Sequence, residues 1–460
     1  MCYNPVNIFG ERRRRISVMN KRNRISILII AVLVLFVSIG SAVNVDAATV
    51  KLNKKSVTLK VGKTVTLKVK GTKKKVKWVS SNKKVATVTQ KGKVKAKKKG
   101  TATIYAKVGK KKLKCKIKVK AAKVPTVTPL STYWAKNSQP AASLRSYVSK
   151  ITNAKDKTNF IPVKDRIAVF DMDGTLTCET FYTYYDTMMF IEYCLKDHPE
   201  KVSDELKTVA AGIKPGYTAD EQLARNFAKA YAGMTIEELY DYAVEFGKGY
   251  TSSFEGMRYR DGFYLPMVEL VKYLYDNDFT IYVVSGTERT TTRAIVANSP
   301  IKDYVTPNHV IGTEFEVKVK GHETEPSNMN YDYADGDELV ITGGFIQKNL
   351  KANKVIFIEK EIGRRPVLAF GNSGSDKGMM NYAIDRRNPY PAQAYMVVAD
   401  DNVREWGTQD WSEKSADYKK QHYIPISMKN DFLKIYDPKK IKRAAKQYNA
   451  DDWNQLPNAA

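Results

Sequence analysis

Two aspartates one residue apart, Asp171 and Asp173, end the apolar run Ile167-Ala-Val-Phe170 and are followed by Gly174 and Thr175. Alternate residues of a strand point the same way, so both carboxylates can be presented at the strand's carboxyl edge, where open α/β sheets bind ligands. Carboxylates this close repel unless a cation lies between them or one carries a proton. A divalent metal, with one carboxylate as nucleophile and the other as acid and base, meets that need. A calcium loop also begins Asp-x-Asp, but Thr175 and Tyr182 stand where its third oxygen ligand and its closing Glu belong, and a strand leads in. An ordinary strand-to-turn boundary is the plain alternative.

Three later stretches carry complementary chemistry. Val283-Val-Ser285-Gly286-Thr287 is an apolar strand ending in a hydroxyl and a glycine. Ser285 can bond a phosphoryl oxygen, and Gly286 lets a backbone N–H come close to it. Lys354 supplies a cation to offset phosphoryl charge, although Lys348, Lys351 and Lys360 lie nearby. Val367-Leu-Ala-Phe-Gly-Asn-Ser-Gly-Ser-Asp376 is again a strand running into a polar loop, bringing Asn372 and Asp376. Asp400-Asp401, after the strand Ala394 to Ala399, reads as a strand-end turn.

In this order, Phe-Asp-Met-Asp-Gly-Thr-Leu over residues 170–176, Ser285 to Thr287, Lys354 and Gly371 to Asp376 resemble the four motifs of the haloacid dehalogenase-like phosphohydrolases. The layout is most similar to the phosphoserine and phosphorylcholine phosphatase branch. The resemblance implies a Rossmann-like parallel α/β sheet with a helical cap inserted after its first strand. It further implies that Asp171 attacks phosphorus to give an aspartyl-phosphate, while Asp173 protonates the leaving alcohol and then deprotonates water. Thr175 would orient Asp173, and Ser285, Gly286 and Lys354 would hold the phosphoryl group. Mg²⁺ would sit between Asp171, the Asp173 carbonyl, Asn372 and Asp376.

Asn372 departs from the pattern, which has an acid there. A neutral ligand weakens metal binding, and it keeps open a catalytically impaired, phosphatase-like surface-binding protein as the alternative. Glu179 falls, with a one-residue gap, near the acid that meets the substrate amine in the phosphoserine branch; it equally suits a helix start. Phe181, Tyr182, Tyr184 and Tyr185 suit either a cage for a quaternary ammonium or core packing. The expected function is a secreted or cell-surface Mg²⁺-dependent phosphomonoesterase of small phosphate esters. A cationic alcohol such as choline or serine is the finer expectation.

The elements that must position these residues can be read along the chain. At 460 residues with 43% apolar content, two or three domains with real cores are expected. The formal charge of +29 is local: residues 49–120 hold 27 lysines with no arginine or acid, whereas residues after 120 hold 43 basic and 46 acidic side chains. Residues 1–47 read as a signal peptide, with Arg12 to Arg24 basic, Ile25 to Ile39 apolar and a Val45-Asp-Ala47 end; an uncleaved anchor is the rival. Residues 48–120 alternate apolar and polar residues between Gly- and Lys-rich turns, as a small all-β sandwich does. Val76-Lys-Trp-Val-Ser-Ser-Asn, Val85-Ala-Thr-Val, Lys91-Gly-Lys-Val-Lys-Ala and Gly100-Thr-Ala-Thr-Ile resemble the bacterial Ig-like group 2 domain. Its lysines either coat a soluble sandwich or adhere to an anionic cell-wall polymer or membrane surface on a Gram-positive cell. Without interleaved aromatics or arginines, nucleic acid is not expected.

Residues 121–140, with Pro125, Pro129 and Pro140, read as a linker, and 141–460 as the phosphatase-like domain, with a helical cap over about 177–255. Cys178 and Cys194 are read either as a pair or as two free, buried thiols.

Overall fold

The computed structural model describes residues 49–120, 130–181, 183–214 and 220–445. The signal-peptide reading of 1–47, the first part of the linker and Tyr182 lie outside them. The chain divides into two compact units, Met1–Val124 and Pro125–Ala460. Among the described residues, no helix is long and apolar enough to cross a membrane.

In the first unit, a four-stranded sheet orders 56–60, 111–120, 100–108 and 77–80, and a three-stranded sheet orders 64–66, 93–96 and 86–88. Alternation explains the sandwich. Along Lys111–Lys120, Cys115, Ile117 and Val119 are buried while Lys114, Lys116, Lys118 and Lys120 are exposed. Trp78 lies in the core with Leu67, Ile104 and Ile117.

The second unit is built on a seven-stranded sheet. Its strands are β1 (Ile167–Phe170), β2 (Thr280–Glu288), β3 (Val310–Val319), β4 (Leu339–Gln347), β5 (Leu368–Gly371), β6 (Gln393–Val398) and β7 (Ile424–Ser427). The spatial order is β4-β3-β2-β1-β5-β6-β7. All neighbours are parallel except β3 and β4. The parallel sheet is thus joined by an antiparallel edge strand that the sequence did not suggest. β1 is central and buried on both faces: Ile167 and Val169 join one apolar cluster, Ala168 and Phe170 the other. That explains its unbroken apolar run. The ring of Phe170 stacks on Phe370 of β5 at 4.3 Å between centroids.

Between β1 and β2 lie the helices α2 (Tyr185–Glu192), α3 (Asp204–Gly212), α4 (Glu221–Ala230), α5 (Ile236–Phe246) and α6 (Leu265–Asp276), following α1 (Gln139–Thr152). α5 starts with a capping box from Thr235 and Glu238, a local stop to competing structure. The turn before it is strapped to β4, with Gly233 N–H donating to Ile341 O (2.8 Å) and Ile341 N–H to Met234 O (2.9 Å). α7 (Arg289–Ala297), α8 (Ala352–Ile362), α9 (Lys377–Ile384) and α10 (Trp411–Lys420) follow the later strands. Cys178 and Cys194 are both free and buried.

The linker expected over 121–140 needs correcting at its end, because residues 130–138 are folded onto the second unit. Backbone N–H groups of Ser131, Thr132 and Tyr133 donate to the Glu269 carboxylate (3.2, 3.1 and 3.0 Å). Trp134 is buried and its indole N–H donates to Pro266 O at 2.9 Å. Proline content was the signal for a linker, but a buried tryptophan and a buried carboxylate outweigh it. Glu269→Ala should lower the stability of this unit by about 3 kcal/mol, since three N–H groups lose their acceptor; denaturant titration by tryptophan fluorescence checks this.

Candidate functional site

At the carboxyl end of β1 the ladder continues one residue further, with Asp171 N–H donating to Phe370 O at 2.9 Å. The chain then turns tightly around Met172 O, which accepts from the N–H groups of Thr175, Leu176 and Thr177. Gly174 adopts φ 75°. A Cβ there would lie 2.0 Å from Asn372 Nδ2 and 2.5 Å from Glu179 Oε2, so only glycine fits.

The centre of the site is Lys354, in the first turn of α8 and fully buried. Its ammonium donates to Asp171 Oδ1 (2.5 Å), Asp376 Oδ1 (2.7 Å) and Val284 O (2.7 Å). Burial disfavours its charge, but Asp171 and Asp376 together outweigh that and hold its pKa above the ordinary lysine value. Asp376 Oδ2 accepts from the N–H groups of Asn372 (3.0 Å) and Ser373 (3.1 Å). The Asp171 carboxyl is pushed up to about 7 by burial and by Asp376, against the pull of Lys354.

Asp173 faces a different set. Thr287 Oγ1 donates to its Oδ2 at 2.9 Å, and its buried Oδ1 has no partner among the described residues. Burial, then the charges of Asp186 and Asp171, raise its pKa well above the usual carboxylate range. Thr175 does not orient Asp173, contrary to expectation. Its hydroxyl lies 3.3 Å from Asp171 Oδ2 and 3.4 Å from Asn372 Oδ1. The strand pleat explains the exchange: Ser285 and Thr287 share one face of β2, and Thr287 is the hydroxyl that reaches Asp173.

Ser285 is buried, accepting from Thr287 N–H at 3.0 Å, and its carbonyl accepts from Asn349 Nδ2 at 2.9 Å. Gly286 packs against Leu350, whose Cδ2 would lie 2.6 Å from an added Cβ. Asp400 and Asp401 lie in turns, Asp401 accepting from the N–H groups of Val403 and Arg404 (2.9 Å each).

Glu179 enters the site against Asn372, whose Nδ2 donates to Glu179 Oε2 at 3.0 Å. Burial raises the Glu179 carboxyl to about 7, the Asn372 bond opposing. Thr180, beside it, donates to Glu405 Oε2 at 2.5 Å, which ties the segment to the loop after β6. Asn372 thereby acquires a local reason: an acid there would face Glu179 carboxylate to carboxylate, whereas the amide donates to Glu179 and turns its oxygen towards Thr175 and Asp171. Burial, with the charges of Glu179, Asp173, Asp171 and Asp186, holds the Tyr184 hydroxyl above its ordinary pKa. Phe181 and Tyr185 pack with Tyr259 instead, with centroids at 5.2 and 6.1 Å, as core.

Among the described residues, no three His, Cys, Asp or Glu side chains converge as a metal cage. The donors expected for Mg²⁺ fit it in type. Asp171 Oδ2 and Asn372 Oδ1 lie 3.3 and 3.4 Å from the Thr175 hydroxyl, and both are hard oxygens. Asp376 fits less well, because both its oxygens are taken by Lys354 and by backbone N–H groups. Five acids (Asp171, Asp173, Glu179, Asp186, Asp376) face two lysines (Lys348, Lys354), so a cation would relieve an excess of negative charge.

Three residues around the aspartates escaped the sequence: Thr287, Asp186 and Lys348. Thr287 could have been found from its spacing to Ser285. Asp186, in the first turn of α2, reads as an ordinary helix start, and Lys348 as one lysine among several.

Residues 168–381 match the family model of haloacid dehalogenase-like hydrolases. Residues 46–119 match that of the bacterial Ig-like domain (group 2). No curated protein matches the chain. Among solved structures, a conserved protein of unknown function from Anaerococcus prevotii is similar at 13% identity, covering 67% of this chain and 97% of that one, with a TM-score of 0.42. A phosphoserine phosphohydrolase-like protein from Francisella tularensis gives 15% identity, coverage of 50% and 87%, and a TM-score of 0.28. Cytosolic 5'-nucleotidase IIIB bound to cytidine gives 10%, 66% and 92%, and 0.35. At such TM-scores none of these likenesses bears on substrate or mechanism.

Asn372→Asp should destabilise the metal-free protein at pH 8 by about 2 kcal/mol, by losing a donor and opposing two carboxylates. Adding Glu179→Gln should restore most of the loss. Thermal melts of the two single variants and the double variant in EDTA decide it; additive losses would disprove the pairing.

Proposed function

We propose that this protein is a phosphomonoesterase working through an aspartyl-phosphate. The observation that carries it is Lys354, which draws Asp171 and Asp376 together at the tip of the central strand while Asp173, two residues on, is held separately by Thr287. The Asp171 carboxylate is the nucleophile that attacks phosphorus. The Lys354 ammonium and the Ser285 hydroxyl bind phosphoryl oxygens and offset the charge that gathers on them. Asp173, its carboxyl raised well above the usual carboxylate range by burial and by the charges of Asp186 and Asp171, gives its proton to the leaving alcohol oxygen. The same carboxylate then takes a proton from the water that attacks the aspartyl-phosphate. Thr287 fixes the Asp173 rotamer in both steps. Mg²⁺ held by Asp171, the Asp173 carbonyl and Asn372, with Asp376 behind them, would neutralise phosphoryl charge when bound.

The substrates in this reading are small phosphate esters. Glu179 and Tyr184 favour a cationic alcohol such as choline or serine as the finer class, and a Glu179→Gln variant with an unchanged preference among choline phosphate, phosphoserine and neutral esters would remove that refinement. Asn372 favours a second reading, a surface protein that binds phosphate esters without turnover. Release of p-nitrophenol from its phosphate, supported by Mg²⁺, lost in EDTA and abolished by Asp171→Asn, decides between them. Thr287→Val should lower kcat about tenfold or more, with Thr287→Ser largely restoring it.

We further propose that the protein is exported and that its lysine-coated Ig-like unit adheres to anionic wall polymers or lipid surfaces. Deleting residues 49–120 should release it from cell walls, and added salt should weaken binding of the full chain; wall binding indifferent to both would overturn this.

A further inference from the structure

Glu405, in the loop between β6 and α10, is 1% exposed. A carboxylate so buried is tolerated only where donors satisfy its oxygens. Oε2 accepts from Thr180 Oγ1 (2.5 Å) and Trp406 N–H (3.2 Å), and Oε1 accepts from the hydroxyl of the buried Tyr436. An acid can accept from two hydroxyls, one at each oxygen, where a glutamine has a single acceptor oxygen. The residue type is therefore matched to holding Thr180 and Tyr436 at once.

The two hydroxyls come from distant parts of the chain. Thr180 stands where the chain crosses from the β1 turn to α2, one residue after Glu179. Cys178 N–H donates to Gly262 O (2.8 Å), so this crossing lies beside the one that returns from the cap to α6. Tyr436 belongs to the segment after β7, which is anchored to that returning crossing. Leu265 N–H donates to Ile435 O (2.9 Å), Phe254 and Glu255 pair antiparallel with Arg443 and Lys442, and the Tyr436 ring meets Phe254 edge-on at 5.7 Å. The Trp406 indole N–H and the Ala444 N–H both donate to Ser253 O (2.9 and 3.0 Å). Glu405 is thus braced on one side by the segment after β7 and reaches Thr180 on the other. Glu179 lies between two holds: its own carboxylate on Asn372 Nδ2 (3.0 Å), and its neighbour's hydroxyl on Glu405.

We propose that Glu405 is a positioning residue: acting through Thr180 and braced by Tyr436, it seats Glu179 against Asn372, so that the segment after β7 sets an acid of the site. Holding the Thr180 hydroxyl fixes the peptide that carries Glu179 while leaving the Glu179 carboxylate to Asn372. The inference concerns the geometry of the site and holds whether or not phosphate esters are turned over there.

The test reads the pairing of positions 372 and 179 by thermal melts of the full-length protein in EDTA at pH 8. With Glu405 and Thr180 intact, Glu179→Gln should restore most of the melting temperature that Asn372→Asp loses. The same cycle is then repeated on a Glu405→Gln background and on a Thr180→Val background. Freed from Glu405, the peptide at 179 can carry its carboxylate away from an aspartate at 372, so the restoration should shrink by about half or more on both. Thr180→Ser, which keeps the hydroxyl, should leave it as in the natural protein. A residue that only added stability would lower every melting temperature and leave the restoration unchanged. That result, or no restoration with Glu405 and Thr180 intact, would overturn the assignment. Thr180 is partly exposed and valine matches its shape, so the Thr180→Val cycle decides the matter if Glu405→Gln does not fold.

Discussion

The Lys354 ammonium is the constraint on which this site depends. It is fully buried, and it touches Asp171 beyond β1, Val284 within β2 and Asp376 in the loop after β5. Two carboxylates that would otherwise repel are thereby drawn to one point beside a carbonyl of β2. A buried ion pair is weak evidence of stability, because desolvation cancels much of the attraction, but removing one partner from it costs about 3–5 kcal/mol. The triad is thus better understood as a specification of geometry. Two carboxylates and a carbonyl leave the ammonium little freedom, so Asp171 is held with one oxygen on Lys354 and the other 3.3 Å from the Thr175 hydroxyl.

The second carboxylate of the motif is kept out of that triad. Asp173 receives a hydroxyl from Thr287 rather than an ammonium, and Asp186 and Asp171 add like charge to its burial. The two aspartates therefore occupy different electrostatic settings although they are one residue apart. One stays beside a cation and suits a nucleophile; the other is pressed towards its protonated form and suits an acid. The Asn372–Glu179 contact extends the same logic. An uncharged residue in the fourth motif avoids adding another carboxylate to a site that already has too many, and its amide turns a repulsive neighbour into an acceptor.

The parts of this arrangement legible in the sequence were those written as local pattern. A four-residue apolar run closing in Asp-x-Asp-Gly announced a central buried strand with chemistry at its tip, and strict alternation announced the lysine-faced sandwich. What stayed hidden was tertiary. Thr175 and Thr287 are both threonines near the aspartates in the fold, and only the pleat of β2 decides which one reaches Asp173. Residues 130–138 looked like a spacer because prolines flank them, whereas their order comes from Glu269 and Pro266, far along the chain. The edge strand β4 has two glycines, Gly343 and Gly344, inside it, which blunt the usual strand signal.

That edge strand ties the cap to the chemistry. β4 pairs with β3, takes the turn between α4 and α5 as a short additional partner through Gly233 and Met234, and ends one residue before Lys348. The cap is therefore hydrogen-bonded to the same strand that delivers Lys348, and it supplies Asp186 opposite that lysine from α2. Any shift of the cap relative to β4 would disturb Asp186 before it disturbed Lys354, which is bonded to Asp171, Val284 and Asp376 of the core unit. The site thus has two differently held parts: Asp171, Lys354 and Asp376 are fixed by the parallel sheet, while Asp186 comes from the cap helix α2. The cap can shift along that seam without moving Asp171, whose backbone N–H stays paired to Phe370 O in the core ladder.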